Sequence, residues 1–73
     1  SHMCVEGTAR AAADLGYPVK VIHDACATLD LEFAGQRVPA AQVQSAVMAA
    51  LAFAYASVLS TEQFLAAGQA PAA

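Results

Sequence analysis

A cysteine, Cys4, stands near the start of the chain, at the point where the spacing of apolar residues predicts that a helix begins. Free backbone N–H groups and the helix dipole at such a position favour an anion, and the thiolate is the nucleophilic form of cysteine. The same N–H groups could stabilise the oxyanion that forms when sulfur attacks a carbonyl carbon. The position therefore suits acyl transfer, although a cysteine beside a helix start is more often structural than catalytic.

Three further side chains are candidate ligands or acid–base groups: His2, His23 and Cys26. Together with Cys4 they have the residue types of a zinc site, but His-x-Cys followed by His-x-x-Cys is not a familiar zinc spacing. Each histidine is more simply a surface or hydrogen-bonded residue. Cys26 is more simply a small buried residue near the end of a strand. We therefore expect no metal site and no cofactor.

The element that must position Cys4 is a helix, predicted over residues 4–15. Small and apolar residues recur along it at intervals of three and four, and Glu6 suits its positive N-terminus. Gly16 can adopt the left-handed conformation that ends a helix, Tyr17 can fold back on the last turn, and Pro18 prevents continuation.

A short strand is predicted next, from the β-branched run in residues 19–22, and it ends at His23 and Asp24. Asp24 suits a cap of the following turn. A period of two over residues 29–33, followed by turn residues at 34–36, predicts either a small hairpin or an ordered loop. A strand directly after a helix indicates an α/β unit.

A longer helix is predicted over residues 40–54, with Pro39 compatible with its first turn. Its apolar stripe belongs to a core or a subunit interface rather than to a cofactor site, and consists of Val43, Val47, Leu51, Tyr55 and Val58. A last short strand over residues 56–59 leads into a helix over residues 61–66, whose start has the serine and glutamine of a capping box. Two aromatic residues are most simply packing residues, Tyr17 and Phe33, although Phe33 could instead face a neighbouring subunit.

The predicted order is helix, strand, excursion, helix, strand and helix. It matches the C-terminal portion of a three-layer, doubly wound parallel sheet and is incomplete alone, because two strands cannot make a complete sheet. We assign residues 1–67 to this portion of a domain and residues 68–73 to a flexible tail.

Composition limits the class of protein. A chain of 73 residues allows one small domain, and its many alanines bury little area each, so we expect it to associate with copies of itself or with a missing half. The net charge is −3 and the three basic residues are scattered, so the chain has no basic stripe that could bind phosphates. We therefore do not expect it to bind nucleic acid.

Residues 38–61 form a charge-free run long enough to span a bilayer. Polar residues interrupt this run and its centre is mostly alanine, which favours a buried helix and no membrane association. No signal peptide is visible, and two cysteines 22 positions apart do not form a disulfide framework. We therefore expect a cytoplasmic protein with reduced thiols.

Three segments resemble the isochorismatase-like cysteine hydrolases: SHMCVEGTARAA at residues 1–12, LGYPV at residues 15–19 and HDACAT at residues 23–28. The resemblance extends to Leu65. It is specific in the first segment, where the Cys-Val pair, the Thr-x-Arg motif and the helix-ending glycine fall at the family spacing. It also favours a native origin for residues 1–3, which otherwise look like a cloning remnant.

The resemblance implies a three-layer α/β hydrolase in which Cys4 attacks an amide or related carbonyl and forms a thioester acyl-enzyme. In such enzymes an aspartate and a lysine from upstream segments complete the triad, and neither segment is present here. Lys20 does not take that role, nor do Asp14, Asp24 and Asp30. Relatives often have a histidine where this chain has Gln44. Isochorismatase itself cleaves a vinyl ether with less need of this cysteine, so the block around Cys4 points to the amidase-like branch.

Two hypotheses from different classes follow. The first is a fragment of a cysteine hydrolase acting on amide-type C–N bonds of a small molecule, inactive or nearly so by itself because the members of a triad act as a unit. The alternative is a non-catalytic, self-assembling α/β module with a vestigial Cys4, since unpaired strand edges invite a partner. The expected partners are an amide substrate in the full-length enzyme and either further copies of the chain or the missing N-terminal half.

Overall fold

The computed structural model describes residues 1–68, which alternate between helices and short strands. The elements are α1 (Cys4–Asp14), β1 (Lys20–Ile22), a 3-10 turn (His23–Ala25), β2 (Leu31–Phe33), β3 (Gln36–Val38), α2 (Ala40–Ala54), β4 (Ser57–Leu59) and α3 (Thr61–Gly68). This order is that of an α/β protein, as predicted.

Helix α1 ends at Asp14, one residue before its predicted end, and the backbone hydrogen bonds that follow show why it stops there. Gly16 has a φ of +90°, and its N–H donates to the Ala13 carbonyl at 3.0 Å. The Tyr17 N–H donates to the Ala12 carbonyl at 3.1 Å. The two bonds form a Schellman motif, whose left-handed residue glycine supplies without strain. The prediction that the Tyr17 ring packs is wrong, because that residue is 66% exposed.

Strands β1 and β4 form a two-stranded parallel sheet in which Val21 lies opposite Val58. The chain between them carries a hairpin and α2, since parallel strands need a long crossover connection. In the described part of the chain β1 pairs with β4 alone, so its second edge has no strand beside it.

The segment between β1 and α2 is a hairpin rather than an ordered loop. Strands β2 and β3 pair antiparallel, and the two residues between them, Ala34 and Gly35, have φ angles of +53° and +80°. Positive φ at both positions is typical of the type I′ turn, whose twist matches that of the flanking strands. Phe33 beside the turn is 81% exposed, so its predicted packing role is wrong.

Helix α2 has the predicted bounds, and its first turn is held by the hairpin. Asp30 accepts a hydrogen bond from the Ala40 N–H at 2.7 Å through Oδ1, and from Arg37 at 2.6 Å through Oδ2. Pro39 precedes the helix as its N-cap residue. The buried residues of α2 include one outside the predicted stripe, Met48, besides Val43 and Leu51.

Helix α3 begins with the predicted capping box. The Ser60 N–H donates to the Gln63 side chain at 2.8 Å, and the Gln63 N–H donates to the Ser60 hydroxyl at 3.1 Å. The helix continues to Gly68, two residues beyond its predicted end, so residue 68 belongs to it and not to the predicted tail. The rest of that tail, residues 69–73, lies outside the described residues.

The core lies where α1, β1 and α2 meet, and its buried cluster consists of Ala9, Val21, Met48 and Leu51. The stripe predicted for α2 contributes Leu51, which is fully buried, while Val47 and Tyr55 are half-buried against the cluster. None of the helices described in residues 1–68 has both the length and the hydropathy needed to cross a membrane.

Candidate active site

Cys4 is the first residue of α1, and its side chain is exposed. Met3, the residue before it, makes no side-chain hydrogen bond to the helix end. The Glu6 N–H is already engaged, because it donates to the Ser1 carbonyl at 3.0 Å. Within residues 1–68 the N–H groups of Cys4 and Val5 donate to no other group, so they are available to an anion at this end of the helix.

A groove of about 490 Å³ runs between α1 and β1, and Cys4 lines it. One wall is a face of α1, and the other is β1 with the turn that follows it, up to Cys26. A short connection reverses the chain between α1 and β1, so Cys4 belongs to the end of the groove where the parallel strands have their carboxyl ends. Ligands of open α/β sheets bind at this edge. Cys4 therefore lies at the edge of the sheet where ligands of such folds bind.

The two residues ahead of Met3 are held against the segment after β1. The Ser1 nitrogen donates to the Ala27 carbonyl at 2.7 Å. The Nδ1 atom of His2 is hydrogen-bonded to the Thr28 hydroxyl at 2.6 Å, as expected for a hydrogen-bonded histidine. These contacts bring together the first and third segments of the family resemblance.

The segment after β1 also contacts α3. Asp24 Oδ1 accepts hydrogen bonds from the Thr61 hydroxyl at 2.7 Å and from the Thr61 N–H at 2.8 Å. Both contacts lower the pKa of Asp24, and the hydrogen bond from the Thr61 hydroxyl has the larger effect. Asp24 is a cap, as predicted, but it caps α3 and not its own turn. Cys26 follows the 3-10 turn, and its thiol donates to the Ile22 carbonyl at 3.4 Å. It packs against the core cluster, as predicted, but it is half-buried and not buried.

The charged residues that the resemblance sets aside are not placed to act on Cys4. Asp14 lies ten residues further along α1, which is about 15 Å at 1.5 Å per residue. Both oxygens of Asp30 are engaged at the hairpin, and the Arg37 hydrogen bond, followed by the Ala40 N–H, lowers the pKa of Asp30. Lys20 opens β1, at the end of the strand away from the turn.

Arg10, from the Thr-x-Arg motif, joins α1 to the end of α2. Its guanidinium donates to Glu6 and to the Tyr55 hydroxyl, both at 3.3 Å, and lies 4.9 Å from the centre of the tyrosine ring. The Glu6 hydrogen bond first, and then the Tyr55 hydrogen bond, raise the pKa of Arg10. The motif arginine therefore contacts groups on two helices, and its exposed ion pair adds little to stability.

No group of three or more His, Cys, Asp or Glu side chains in residues 1–68 could hold a metal ion. The zinc hypothesis therefore finds no ligand cluster in the described part of the chain. His2 and Cys26, two of the four ligands it requires, are hydrogen-bonded to other neighbours.

One contact residue was not visible as such in the sequence. Gln44 bonds through its side-chain amide to Ser1, His23 and Cys26, all distant along the chain. Sequence patterns report on neighbours three or four residues apart, so no local signal could have revealed this role.

Comparison with known protein families identifies the family of this chain. Residues 1–63 match the family model of the isochorismatase domain. The chain belongs to the isochorismatase family. The resemblance carried by the segments around Cys4 is thereby confirmed at the level of the family.

Relatives within the isochorismatase family agree with this assignment. The chain is 49% identical over 65 residues to the uncharacterized isochorismatase family protein YddQ of Bacillus subtilis. The aligned segment covers 89% of this chain and 36% of that protein. A crystal structure from Oleispira antarctica, of a protein classed as an isochorismatase hydrolase, superposes with a TM-score of 0.87 at 62% identity, over 89% of this chain and 35% of that one. A hydrolase-classed family member from Chromobacterium violaceum gives a TM-score of 0.82 at 36% identity, over 86% of this chain and 33% of that one.

These superpositions confirm the expected isochorismatase-type α/β fold. The chain spans about a third of the length of each of these relatives. The described residues therefore contain one part of the family fold, with Cys4 at the carboxyl edge of its small parallel sheet.

Proposed function

We propose that this chain supplies the nucleophile of a cysteine hydrolase that cleaves amide-type C–N bonds of a small molecule. The observation that carries the proposal is the position of Cys4: an exposed thiol on the first residue of α1, lining a groove at the carboxyl edge of the parallel sheet. The match to the isochorismatase domain supports a hydrolase, and the motif around Cys4 favours the amidase-like branch.

The reaction begins when the Cys4 thiolate attacks the carbonyl carbon of the bound amide. A C–S bond forms and the carbonyl oxygen becomes an oxyanion, which the N–H groups of Cys4 and Val5 can stabilise by hydrogen bonding. Collapse of this intermediate breaks the C–N bond, and the amine leaves with a proton. Water then hydrolyses the thioester, releasing the carboxylic acid and the free thiol.

This chemistry needs an acid–base pair to move the protons, and we assign that pair to an aspartate and a lysine outside the present chain. Asp14, Asp24, Asp30 and Lys20 are engaged or distant, as described above. Residues of a triad act as a unit, so a thiol alone keeps little of the rate enhancement. The 73-residue chain is therefore expected to be nearly inactive by itself. The nucleophile also requires a reduced thiol, which a cytoplasmic location provides.

The test is amide hydrolysis by the intact protein, with whatever segments precede or follow these residues. Release of amine or ammonia is expected to be lost in Cys4→Ala and kept in Cys26→Ala, the matched control at the other thiol lining the groove. Mass spectrometry of a rapidly quenched reaction should find the acyl group on the tryptic peptide that contains Cys4. Full activity in Cys4→Ala would show that the cysteine mechanism is wrong.

The self-assembling module is a second candidate, because large apolar side chains are exposed. Phe53 on α2 is 92% exposed and Phe33 on the hairpin is 81% exposed. A non-catalytic module predicts a defined oligomer of the 73-residue chain by light scattering and no hydrolysis by the intact protein. Hydrolysis that depends on Cys4 would exclude this candidate.

A further inference from the structure

Gln44 connects separate parts of the chain through both the nitrogen and the oxygen of its side-chain amide. It lies in the second turn of α2 and is half-buried. Its Nε2 donates to the His23 carbonyl at 2.8 Å and to the Cys26 carbonyl at 3.3 Å. Its Oε1 accepts a hydrogen bond from the Ser1 hydroxyl. With both kinds of atom engaged, the orientation of the amide is fixed.

Ser1 transmits this anchoring to the helix that carries Cys4. The Ser1 carbonyl accepts the N–H of Glu6, in the first turn of α1, at 3.0 Å. The Ser1 nitrogen is tied to Ala27, in the same segment after β1 that Gln44 contacts. Ser1 therefore links Gln44 to the first turn of α1 by two hydrogen bonds, one from its hydroxyl to Gln44 and one to its carbonyl from the Glu6 N–H. Hydrogen bonds within α1 hold the helix together but do not fix its position relative to the sheet, so contacts such as those of Ser1 are needed for that.

We infer that Gln44 is a positioning residue for Cys4. It fixes the start of α1 against the carboxyl end of β1, and so sets where the thiol and the free N–H groups stand relative to the groove. The inference rests on the proposed function, in which Cys4 is the nucleophile. Reacting atoms must be held within a fraction of an ångström of the productive geometry, and residues that support the nucleophile provide this precision.

Two substitutions separate positioning from simple packing. Gln44→Glu has nearly the same shape and keeps the acceptor for Ser1, but it loses both donors and sets a carboxylate against two carbonyl oxygens. Ser1→Ala removes only the hydroxyl link and leaves both carbonyl contacts in place. The matched control is Gln42→Ala, an exposed glutamine on the same helix.

The first readout is alkylation of Cys4 in the intact protein by iodoacetate and by iodoacetamide. The two reagents react with the same sulfur but differ in charge, so the ratio of their rates reports how well the helix N-terminus faces the thiol. Trypsin cuts after Arg10, Lys20 and Arg37, which puts Cys4 and Cys26 on different peptides. Each rate is then read by mass spectrometry, with Cys26 as internal reference in Ser1→Ala and in Gln42→Ala.

We expect the iodoacetate to iodoacetamide ratio at Cys4 to fall about two- to fivefold in Ser1→Ala, which adds no charge, the range typical of a charge at a helix end. In Gln44→Glu the ratio should fall further, because the new carboxylate also repels iodoacetate, so Ser1→Ala is the variant that measures positioning. The ratio at Cys26 should not change in Ser1→Ala, which leaves the contact between Gln44 and the Cys26 carbonyl in place. Neither ratio should change in Gln42→Ala. For amide hydrolysis we expect kcat to fall at least about tenfold with KM within about twofold.

Unchanged ratios and kcat in both variants would overturn the inference, as would a lower Tm with an unchanged ratio. If Gln44→Glu fails to fold, Ser1→Ala decides the question alone. The alkylation ratio does not depend on hydrolysis. A protein in which Cys4→Ala keeps full activity but Ser1→Ala lowers the ratio would therefore contradict the proposed function and leave the positioning role of Gln44 supported.

Discussion

Leu51→Ala tests where the core of this domain lies. The Leu51 side chain is 0% exposed and packs with Ala9, Val21 and Met48. The substitution removes three carbon atoms, which at about 0.8 kcal/mol per buried methylene corresponds to about 2.4 kcal/mol of transfer free energy. The cavity adds to this cost because the neighbouring side chains relax only in part. We expect the free energy of unfolding to fall by about 3 to 4 kcal/mol in total.

Urea unfolding of the intact protein, followed by circular dichroism, measures this loss. At a slope of about 2 kcal/mol per molar urea, the unfolding midpoint should fall by about 1.5 to 2 M. Gln42→Ala is the control, because Gln42 is a polar, exposed residue on the same helix. It should change the free energy of unfolding by less than about 0.5 kcal/mol. Equal losses in both variants, or a loss below about 1 kcal/mol for Leu51→Ala, would refute this position of the core.

Two further predictions concern the hairpin and α1. The Arg37 hydrogen bond and then the Ala40 N–H lower the pKa of Asp30, so its contribution to stability is complete above the unfolded pKa of about 3.9 and is lost as the pH falls through the folded value. Asp30→Asn should lower Tm at pH 7, and its difference from the unsubstituted protein should shrink as the pH is lowered below about 3.9. A difference that does not vary with pH would contradict this. Gly7→Ala, in the interior of α1 with open space around the added methyl, should stabilise by about 0.5 to 1 kcal/mol. Gly16→Ala has equal space but a φ of +90°, and should destabilise by about 1 to 2 kcal/mol, so changes of the same sign in urea titrations would show the backbone argument to be wrong.

The parts of the fold that depend on neighbouring residues were predictable from the sequence. The end of α1 follows from a glycine, a tyrosine and a proline in succession, and the start of α3 from a serine and a glutamine three residues apart. The position of Cys4 at the start of a helix, which defines the candidate site, was likewise predictable from the residues next to it in the sequence. Such signals act within one or two turns of a helix, so tertiary context does not need to be known.

The contacts that were missed join residues far apart in the chain. Asp24 caps a helix that starts 37 positions later, and Asp30 holds the first turn of α2 from ten positions before it. The burial of Met48 was missed for another reason. Helix α2 is apolar on most of its surface, so the spacing of its residues does not select one buried face.

Residues 23–28 contact groups at or beside all three helices, through Ser1 and His2 before α1, Gln44 in α2 and Thr61 in α3. The adjacent hairpin ends in an exposed two-residue turn. An inserted residue in the first segment would displace three helices at once, whereas added length at the hairpin tip costs little, since loop closure depends only weakly on length. Loop grafting on this chain should therefore lengthen the hairpin and keep residues 23–28 at their present number.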